Sequence, residues 1–153
     1  MSCCHTYQQQ LGGDLSSHYS SIGHSVSERG KTFRLGNRSV PFCKIKTDGG
    51  LYPSGQAQKK CDWVFILCET NRFYFVELKG SGKTLKDDQI VQTIQDFKNK
   101  ISSLSKDQIY GVIVGSNMPS QNTATLRKMQ DNFRKHHGNK LLTHSSLYEL
   151  STQ

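Results

Sequence analysis

The sequence predicts an α/β fold in which a mixed central β-sheet is flanked by helices. Two segments rich in β-branched and aromatic residues, 61–68 and 73–79, stand on either side of a short polar stretch and predict a β-hairpin. Apolar residues recur at helical spacing through 90–101, and the run 109–114 is almost continuously apolar, which is typical of a strand covered on both faces. The expected order of elements is αβββαβα followed by a short final strand.

The elements before the hairpin have weaker patterns. Residues 1–10 are polar and predict a disordered tail, which leaves 11–153 as a single domain. Apolar residues recur at helical spacing from Asp14, the expected N-cap, to Gly30, the expected stop. The remaining elements expected here are two strands around a Gly36-Asn37 turn, over 32–35 and 40–46, and a loop over 48–58.

The elements after the hairpin have clearer boundaries. A glycine loop at 80–82 precedes a helix capped by Thr84, and Pro119 opens a second helix that ends at Gly138. Each helix has an apolar stripe that is expected to face the core, namely Ile90, Ile94, Phe97 and Ile101 in the first and Leu126, Met129 and Phe133 in the second. Residues 141–150 are expected to add the final strand.

Three charged residues stand at the ends of the predicted hairpin. If its strands close symmetrically about the turn 69–72, Asp62 lies directly across from Lys79 and diagonal to Glu77. Because side chains alternate along a strand, all three then point to one face, with Cβ separations of roughly 5 to 8 Å. Two carboxylates at such a short separation repel each other unless a cation lies between them. Their oxygens suit a hard divalent ion such as Mg²⁺.

A solvated ladder of salt bridges is the alternative interpretation of these charges. Phe73 and Phe75 lie on the same predicted face, so Glu77 and Lys79 stand where an apolar surface ends, and burying charge there is costly without a partner. The chain has only four glutamates, and this is its only Glu-x-Lys sequence. Both facts favour a functional site over a ladder.

The pattern Asp62, fourteen residues, then Glu77-Leu78-Lys79 resembles the PD-(D/E)XK, or restriction-endonuclease-like, nuclease superfamily. The resemblance implies that the αβββαβα core is the superfamily's, and that Asp62 and Glu77 bind Mg²⁺ or Mn²⁺ with the carbonyl of Leu78 as a further ligand. It also implies that Lys79 positions the attacking water. The residue before Asp62 is Cys61 where the motif has proline, at a position that varies in the superfamily.

The same resemblance points to two further residues. Some branches of the superfamily place a catalytic glutamine on the helix after the motif, and Gln89 matches it. Gln92 and Gln95 compete for that role, and a polar helix face is the other interpretation. Some branches also carry an extra acidic metal ligand on the first helix, which Glu28 resembles, although it falls off the apolar stripe predicted there.

The charge balance favours a polyanion as partner. The formal net charge is +8 and the isoelectric point is about 9.3. With the nuclease resemblance, the expected partner is nucleic acid, and DNA is favoured over RNA. The basic residues expected to contact it are Lys59, Lys60, Lys83, Arg127, Lys128, Arg134 and Lys135.

A chain this short has no room for a separate recognition domain. That favours a structure-selective DNA endonuclease resembling Holliday-junction resolvases, or a small restriction enzyme. A single site cuts one strand, and cutting two strands symmetrically is most simply done by a homodimer. A homodimer is therefore expected.

Two rival functions belong to other classes. The segment from Gly80 to Thr84, Gly-Ser-Gly-Lys-Thr, resembles the end of a phosphate-binding P-loop, which would make the chain a nucleotide-binding protein. The full pattern needs glycine at position 77, where this chain has Glu77, and no later strand ends in an acidic residue that could hold Mg²⁺. The other rival is a non-catalytic nucleic-acid-binding module, which the intact acid, acid and lysine set disfavours.

The cysteines and the N-terminal residues bear on the compartment. Five cysteines cannot all pair, and Cys61 and Cys68 lie in predicted strands, where cysteine behaves as a small hydrophobe, so reduced thiols are expected. Cys3-Cys4-His5 has no second pair at zinc-ligand spacing. The chain shows no apolar run that could span a bilayer and no signal peptide, which predicts an intracellular protein, cytoplasmic or nucleoid-associated and not secreted.

Overall fold

The computed structural model describes residues 2–55, 59–79, 85–116 and 123–151. The strands in chain order are β1 (Tyr19–Ser20), β2 (Ser25–Glu28), β3 (Lys31–Leu35), β4 (Phe42–Lys46), β5 (Trp63–Leu67), β6 (Arg72–Leu78), β7 (Ile109–Gly115), β8 (Lys140–Ser145) and β9 (Leu147–Leu150). The helices are α1 (Cys4–Leu11), α2 (Leu15–His18), α3 (Asp88–Lys100) and α4 (Ala124–His136), with a short 3-10 helix at Lys106–Gln108. Within these described ranges no helix has the length and apolar character needed to cross a bilayer.

Six of the strands form one mixed sheet in the spatial order β1-β4-β5-β6-β7-β8. In this sheet the pairs β1–β4, β4–β5 and β5–β6 are antiparallel, whereas β6–β7 and β7–β8 are parallel. In the chain, α3 connects β6 to β7 and α4 connects β7 to β8. The predicted mixed α/β architecture is therefore confirmed. Because parallel strands end at one edge of a sheet, the ends of β6, β7 and β8 lie at the edge where α3 and α4 begin.

The two faces of this sheet are covered by different layers. One face packs against α1, α3 and α4 in a cluster that includes Phe73, Phe97 and Phe133. The other face packs against a three-stranded sheet, β2-β3-β9, in a cluster that includes Phe33 and Phe65. Among the residues that the structure describes, helices thus flank one face and the second sheet covers the other. The sequence did not predict the second sheet, because β9 joins it from the opposite end of the chain.

The core positions of the second half of the chain are confirmed. The stripe of α3 is buried at Ile90, Ile94, Phe97 and Ile101, and α4 buries Leu126 and Phe133 fully and Met129 partly. β7 lies between β6 and β8, as expected of a central strand. The N-caps observed are Asp87 for α3 and Thr123 for α4, whereas the expected cap Thr84 and the expected start Pro119 lie outside the described residues.

Three predictions about strands and the first helix are wrong. Asp14 does cap α2 by accepting from the Ser16 N–H at 3.1 Å, but α2 has only four residues and the strands β1 and β2 follow it. The serines and glycines of this segment are weak helix formers, so pairing with β3 and β4 decides its structure. β3 and β4 do not form a hairpin, since they belong to different sheets. Residues 141–150 contribute to two strands, one in each sheet.

The expected disordered tail at 1–10 is also wrong. Cys4–Leu11 form α1, and Cys4, Tyr7 and Leu11 are buried in the helix-covered core. These three residues recur at the spacing that places them on one face of a helix. A helix of this length is not stable alone, so packing and cross-links hold it in place.

The cross-links are two disulfides. They join Cys3 to Cys68 and Cys4 to Cys43, which leaves Cys61 as a buried free thiol. The expectation of reduced cysteines is therefore wrong: the start of α1 brings two adjacent cysteines against β4 and the turn after β5, which the sequence alone could not place beside it. Disulfides are typical of oxidising compartments. The intracellular location stays a prediction.

Breaking both disulfides is expected to lower the melting temperature by roughly 10 °C or more, because each bridge closes a long loop of the unfolded chain. Thermal unfolding with and without a reductant measures the shift. A Cys61→Ala variant serves as control and should respond to the reductant as the wild type does. Before reduction, the denatured protein should show a single reactive thiol; a count of five would contradict the two bridges.

Candidate metal centre

The β5–β6 hairpin holds the candidate site, in a register that differs from the predicted one. Leu67 pairs with Arg72 at the closed end, so the turn begins one residue earlier than expected. The pairing of the two strands is thereby shifted by two residues. The ladder ends where Trp63 pairs with Val76, and the Asp62 N–H donates to the carbonyl of that same valine, so the expected position of Asp62 across from Lys79 is wrong.

Asp62 and Glu77 nevertheless lie close together. Along β6 side chains alternate, and Phe73, Phe75 and Glu77 face the layer of helices. Cys61 packs in the same cluster as Val64, although regular alternation would place the two on opposite faces, so the alternation of β5 does not extend to Asp62. Asp62 is joined to β6 by its hydrogen bond with the backbone N–H of Leu78. The charge of Asp62 acts on Glu77, in keeping with their closeness. The structure therefore brings the two predicted carboxylates together at the edge where α3 begins.

Glu77 is a buried carboxylate that is only partly satisfied. Its side chain is 9% exposed, and the ammonium of Lys79, 13% exposed, lies 3.9 Å from its Oε2. Its other oxygen, Oε1, is buried and has no hydrogen-bond partner among the described residues. A buried carboxylate oxygen without a donor is costly, and a cation would remove that cost.

Asp62 is fixed by the strand that carries Glu77. Its Oδ2 accepts a hydrogen bond from the backbone N–H of Leu78 at 2.7 Å, and its own N–H donates to the carbonyl of Val76 at 3.0 Å. In an extended strand the N–H and C=O of one residue point to the same side. The carbonyl of Leu78 therefore also faces the Asp62 side, as a third ligand would have to.

Burial raises the pKa of both carboxyls. For Glu77 burial is the largest cause, the charge of Asp62 adds to it, and Lys79 opposes it, with the pKa raised to about 8. For Asp62 burial is again the largest cause and the hydrogen bond from Leu78 opposes it, with the pKa raised to about 6. The metal-free site thus disfavours two negative charges, which is the condition that a divalent cation reverses.

The donors present fit a hard divalent ion. Two carboxylates and one backbone carbonyl are all oxygen ligands, the kind that Mg²⁺ and Mn²⁺ prefer. In the described part of the chain no group of three or more histidine, cysteine, aspartate or glutamate side chains could hold a metal ion. Mg²⁺ does not need such a group, since it is commonly held by one or two carboxylates with water and substrate phosphate completing the shell.

Further charged groups surround the pair. Glu28 lies on β2 and not on the predicted helix, with its Oε1 3.8 Å from the Lys46 Nζ, and its charge raises the pKa of Asp62. Arg29, beside it at the tip of the β2–β3 hairpin, lowers that pKa. Asp48 raises the pKa of both carboxyls of the candidate pair. The second sheet therefore contributes its hairpin tip to the surroundings of the site.

Gln89 lies in the first turn of α3, at the sheet edge that holds the site. Its side chain is half-buried, and its backbone carbonyl accepts the hydroxyl of Thr93 at 2.8 Å. Asp88, the preceding residue, raises the pKa of Glu77, so this turn lies close enough to act on the site. Gln92 is half-buried and Gln95 is exposed. The catalytic role of Gln89 stays a prediction.

The predicted nucleic-acid contacts fall into three groups. Lys59 is exposed, as are the four basic residues of α4, namely Arg127, Lys128, Arg134 and Lys135. Lys60 is 9% exposed and its ammonium lies 5.0 Å over the ring of Tyr52, so its charge already has a partner inside the protein. Lys83, with the whole of the predicted P-loop-like segment, lies outside the described residues.

Sequence reasoning missed the residues that approach the site from distant parts of the chain. Asp48 and Arg29 carry charge to it, and Thr47 and Thr93 hold the backbone before Asp62. Asp48 stands in an Asp-Gly-Gly sequence that predicts only a turn, and Thr93 stands in the apolar stripe of a helix. No local signal in the sequence distinguishes these residues from ordinary turn and helix positions.

Comparisons of this chain with protein-family models, with curated proteins and with solved structures gave no match. The resemblance to the PD-(D/E)XK superfamily therefore depends on the motif and on the geometry of the residues that carry it. Those residues are Asp62, Glu77 and Lys79, which lie in or next to the adjacent strands β5 and β6 at one edge of a mixed sheet.

Proposed function

We propose that this chain is a Mg²⁺- or Mn²⁺-dependent nuclease with a restriction-endonuclease-like core, and that it hydrolyses phosphodiester bonds, in DNA rather than RNA. The observation that carries the proposal is the pairing of half-buried Asp62 with buried Glu77, with one carboxylate oxygen of Glu77 unpartnered and Lys79 beside it. A salt-bridge ladder would be solvated and paired. In this pair Glu77 is buried, and the pKa of both carboxyls is raised chiefly by burial, which disfavours two negative charges without a cation.

The chain's own groups have distinct roles in such a reaction. Asp62, Glu77 and the carbonyl of Leu78 would hold the ion. When bound, the ion would polarise the scissile phosphate and lower the pKa of a water molecule that attacks it. The ammonium of Lys79, held near Glu77, would orient that water and offset the charge that develops on the phosphate. Gln89, at the start of α3, is the proposed additional polar contact to the water.

The exposed basic residues of α4 lie at two distances from this site. Arg127 and Lys128 lie in the first half of α4, which begins at the sheet edge that holds the candidate site. Arg134 and Lys135 lie in its last turn. Arg134 is also paired with Asp131 at 3.4 Å. With a helical rise of about 1.5 Å per residue, the two basic pairs are roughly 10 Å apart along the axis. The first pair is therefore the proposed phosphate contact.

Replacing Arg127 and Lys128 by glutamine is expected to weaken DNA binding equally across sequences and to flatten its salt dependence by about one unit of slope per lost contact. The matched control is glutamine at Arg134 and Lys135, which removes the same charge at the far end of α4 and should change the slope less. Fluorescence anisotropy over a range of salt concentrations measures both. Equal slopes for the two double variants would show that α4 does not orient DNA toward the site.

A cleavage assay tests the proposed function itself. Labelled single-stranded, duplex, flapped and four-way-junction DNA, and RNA, are incubated with the pure protein in Mg²⁺, Mn²⁺ or EDTA. Cleavage of at least one DNA substrate is expected with either ion and none with EDTA, without any need for ATP. A requirement for ATP would favour the nucleotide-binding rival, and binding without cleavage would favour a non-catalytic module.

A further inference from the structure

The peptide before Asp62 is held from two sides by buried hydroxyl groups. The N–H of Cys61 donates to Oγ1 of Thr93 at 2.9 Å, and the hydroxyl of Thr47 donates to the carbonyl of Cys61. All three residues have no exposed surface. Threonines from two parts of the chain, one in α3 and one just after β4, therefore bond both polar groups of the Cys61 backbone, whose carbonyl also accepts the N–H of Asp48 at 3.1 Å.

These contacts are more than the ordinary bonding of a threonine in a helix. Thr93 donates its hydroxyl to the carbonyl of Gln89 at 2.8 Å, as helical threonines often do, and it accepts the Cys61 N–H in addition. The backbone N–H of Thr47 donates to the carbonyl of Asp62 at 3.1 Å. One hydrogen-bonded chain thus connects α3, Cys61 and the residue that follows β4 with the candidate ligand.

Asp62 needs such support because it lies just outside the regular ladder, since β5 begins at Trp63. Binding a divalent ion requires both Asp62 and Glu77 in their deprotonated form, and two close carboxylates tend to separate until an ion neutralises them. The contacts of Cys61 oppose that separation. Groups that orient ligands in this way commonly change metal affinity or activity by roughly 10- to 100-fold when they are removed.

We propose that Thr47 and Thr93 are positioning residues that hold Asp62 at the place where it binds the divalent ion together with Glu77. This inference rests on the metal-dependent nuclease proposed above. Neither threonine touches the ion or the nucleic acid. They act through the backbone of Cys61, so their removal should change metal affinity and the rate of cleavage and leave the affinity for DNA as it is.

The test compares Thr93→Val, which keeps the shape and removes the hydroxyl, with Thr93→Ser, which restores the hydroxyl. The Kd for Mn²⁺, measured by electron paramagnetic resonance on the metal-free protein, is expected to rise roughly tenfold or more in Thr93→Val and to stay within about twofold of the wild type in Thr93→Ser. kcat should follow the same order, with DNA affinity measured without metal unchanged. If Thr93→Val does not fold, Thr47→Val and Thr47→Ser replace the pair.

A Thr143→Val variant is the matched control, because Thr143 is also a buried threonine but lies on β8, three strands away from β5. It should leave the Kd for Mn²⁺ unchanged even if it lowers stability. Wild-type Mn²⁺ affinity in folded Thr93→Val would overturn the proposal, and so would equal losses in Thr93→Val and Thr93→Ser. If the wild type binds no Mn²⁺, the proposed nuclease fails and this inference fails with it. If the wild type binds Mn²⁺ and the threonine variants bind it equally well, this inference alone fails.

Discussion

Replacing Glu77 by glutamine is expected to reduce Mg²⁺-dependent cleavage by roughly a thousandfold or more, and Asp62→Asn is expected to have the same effect. Each change removes an anionic ligand from a site that has two, and residues that act as a unit lose most of the activity when either is removed. Glu77→Gln keeps the size of the buried side chain, so the fold should survive. Single-turnover cleavage of the best DNA substrate measures the loss.

Two further variants show whether the effect belongs to the metal site. Glu69→Gln makes the same chemical change at an exposed residue in the turn at the opposite end of the β5–β6 hairpin, and it should cleave like the wild type. Lys79→Gln should slow cleavage by roughly a hundredfold and keep metal binding, because Lys79 acts on water and phosphate. Full cleavage by a folded Glu77→Gln protein would leave the ladder of salt bridges as the better account.

Adding Mg²⁺ near pH 8, at about a hundred times its Kd, is expected to raise the melting temperature by roughly 5 to 10 °C, and the rise should shrink as the pH falls. The pKa of Glu77 is raised to about 8 and that of Asp62 to about 6, so the metal-free folded protein binds protons that the unfolded chain has lost. The stability that these two groups contribute is full below about pH 4 and disappears as the pH rises to about 8. Mg²⁺ binds the deprotonated pair and therefore acts in the opposite direction.

The control for this effect is Glu77→Gln without metal. Glutamine resembles the protonated carboxyl, so the variant should lose less stability between pH 5 and pH 8 than the wild type, whose Glu77 deprotonates over that window. It should also show little stabilisation by Mg²⁺. Thermal unfolding at several pH values, with Mg²⁺ or EDTA, measures both the loss of stability with pH and the stabilisation by Mg²⁺. If the metal-free stability of the wild type instead rises steadily from pH 5 to pH 8, burial does not raise the pKa values of these two carboxyls.

Local pattern was enough to predict the second half of the fold. The stripe of α3 and the apolar run of β7 are strong periodic signals over many residues, and both are confirmed. The alternation along β6 also placed Glu77 on the correct face. The hairpin register was predicted wrongly because Cys68 belongs to the turn and Arg72 starts the strand, with Asn71 ending the turn in a left-handed backbone at a φ of 55°. Asparagine tolerates that conformation, but the sequence does not reveal which polar residue adopts it.

Long-range contacts decide the parts that could not be predicted. Residues 14–30 show helical spacing, yet their serines and glycines leave helix propensity too weak to resist strand pairing with β3 and β4. The polar segment at the N-terminus becomes α1 because Cys3 and Cys4 form disulfides with residues of the β4–β5 region, and because Tyr7 and Leu11 pack in the core. For the site, the carboxylates could be predicted from the motif. Their neighbours Asp48 and Thr93 could not, since folding alone brings them near.

A titration of the metal-free protein with Mn²⁺ is the direct test of whether Asp62 and Glu77 form a divalent-metal site. Isothermal calorimetry near neutral pH, run on the wild type, Glu77→Gln, Lys79→Gln and Glu69→Gln, reports the number of bound ions and their affinity. We expect one ion bound at this site in the wild type, Lys79→Gln and Glu69→Gln, and loss of that ion in Glu77→Gln. No binding by the wild type, or equal binding by Glu77→Gln, would contradict this expectation.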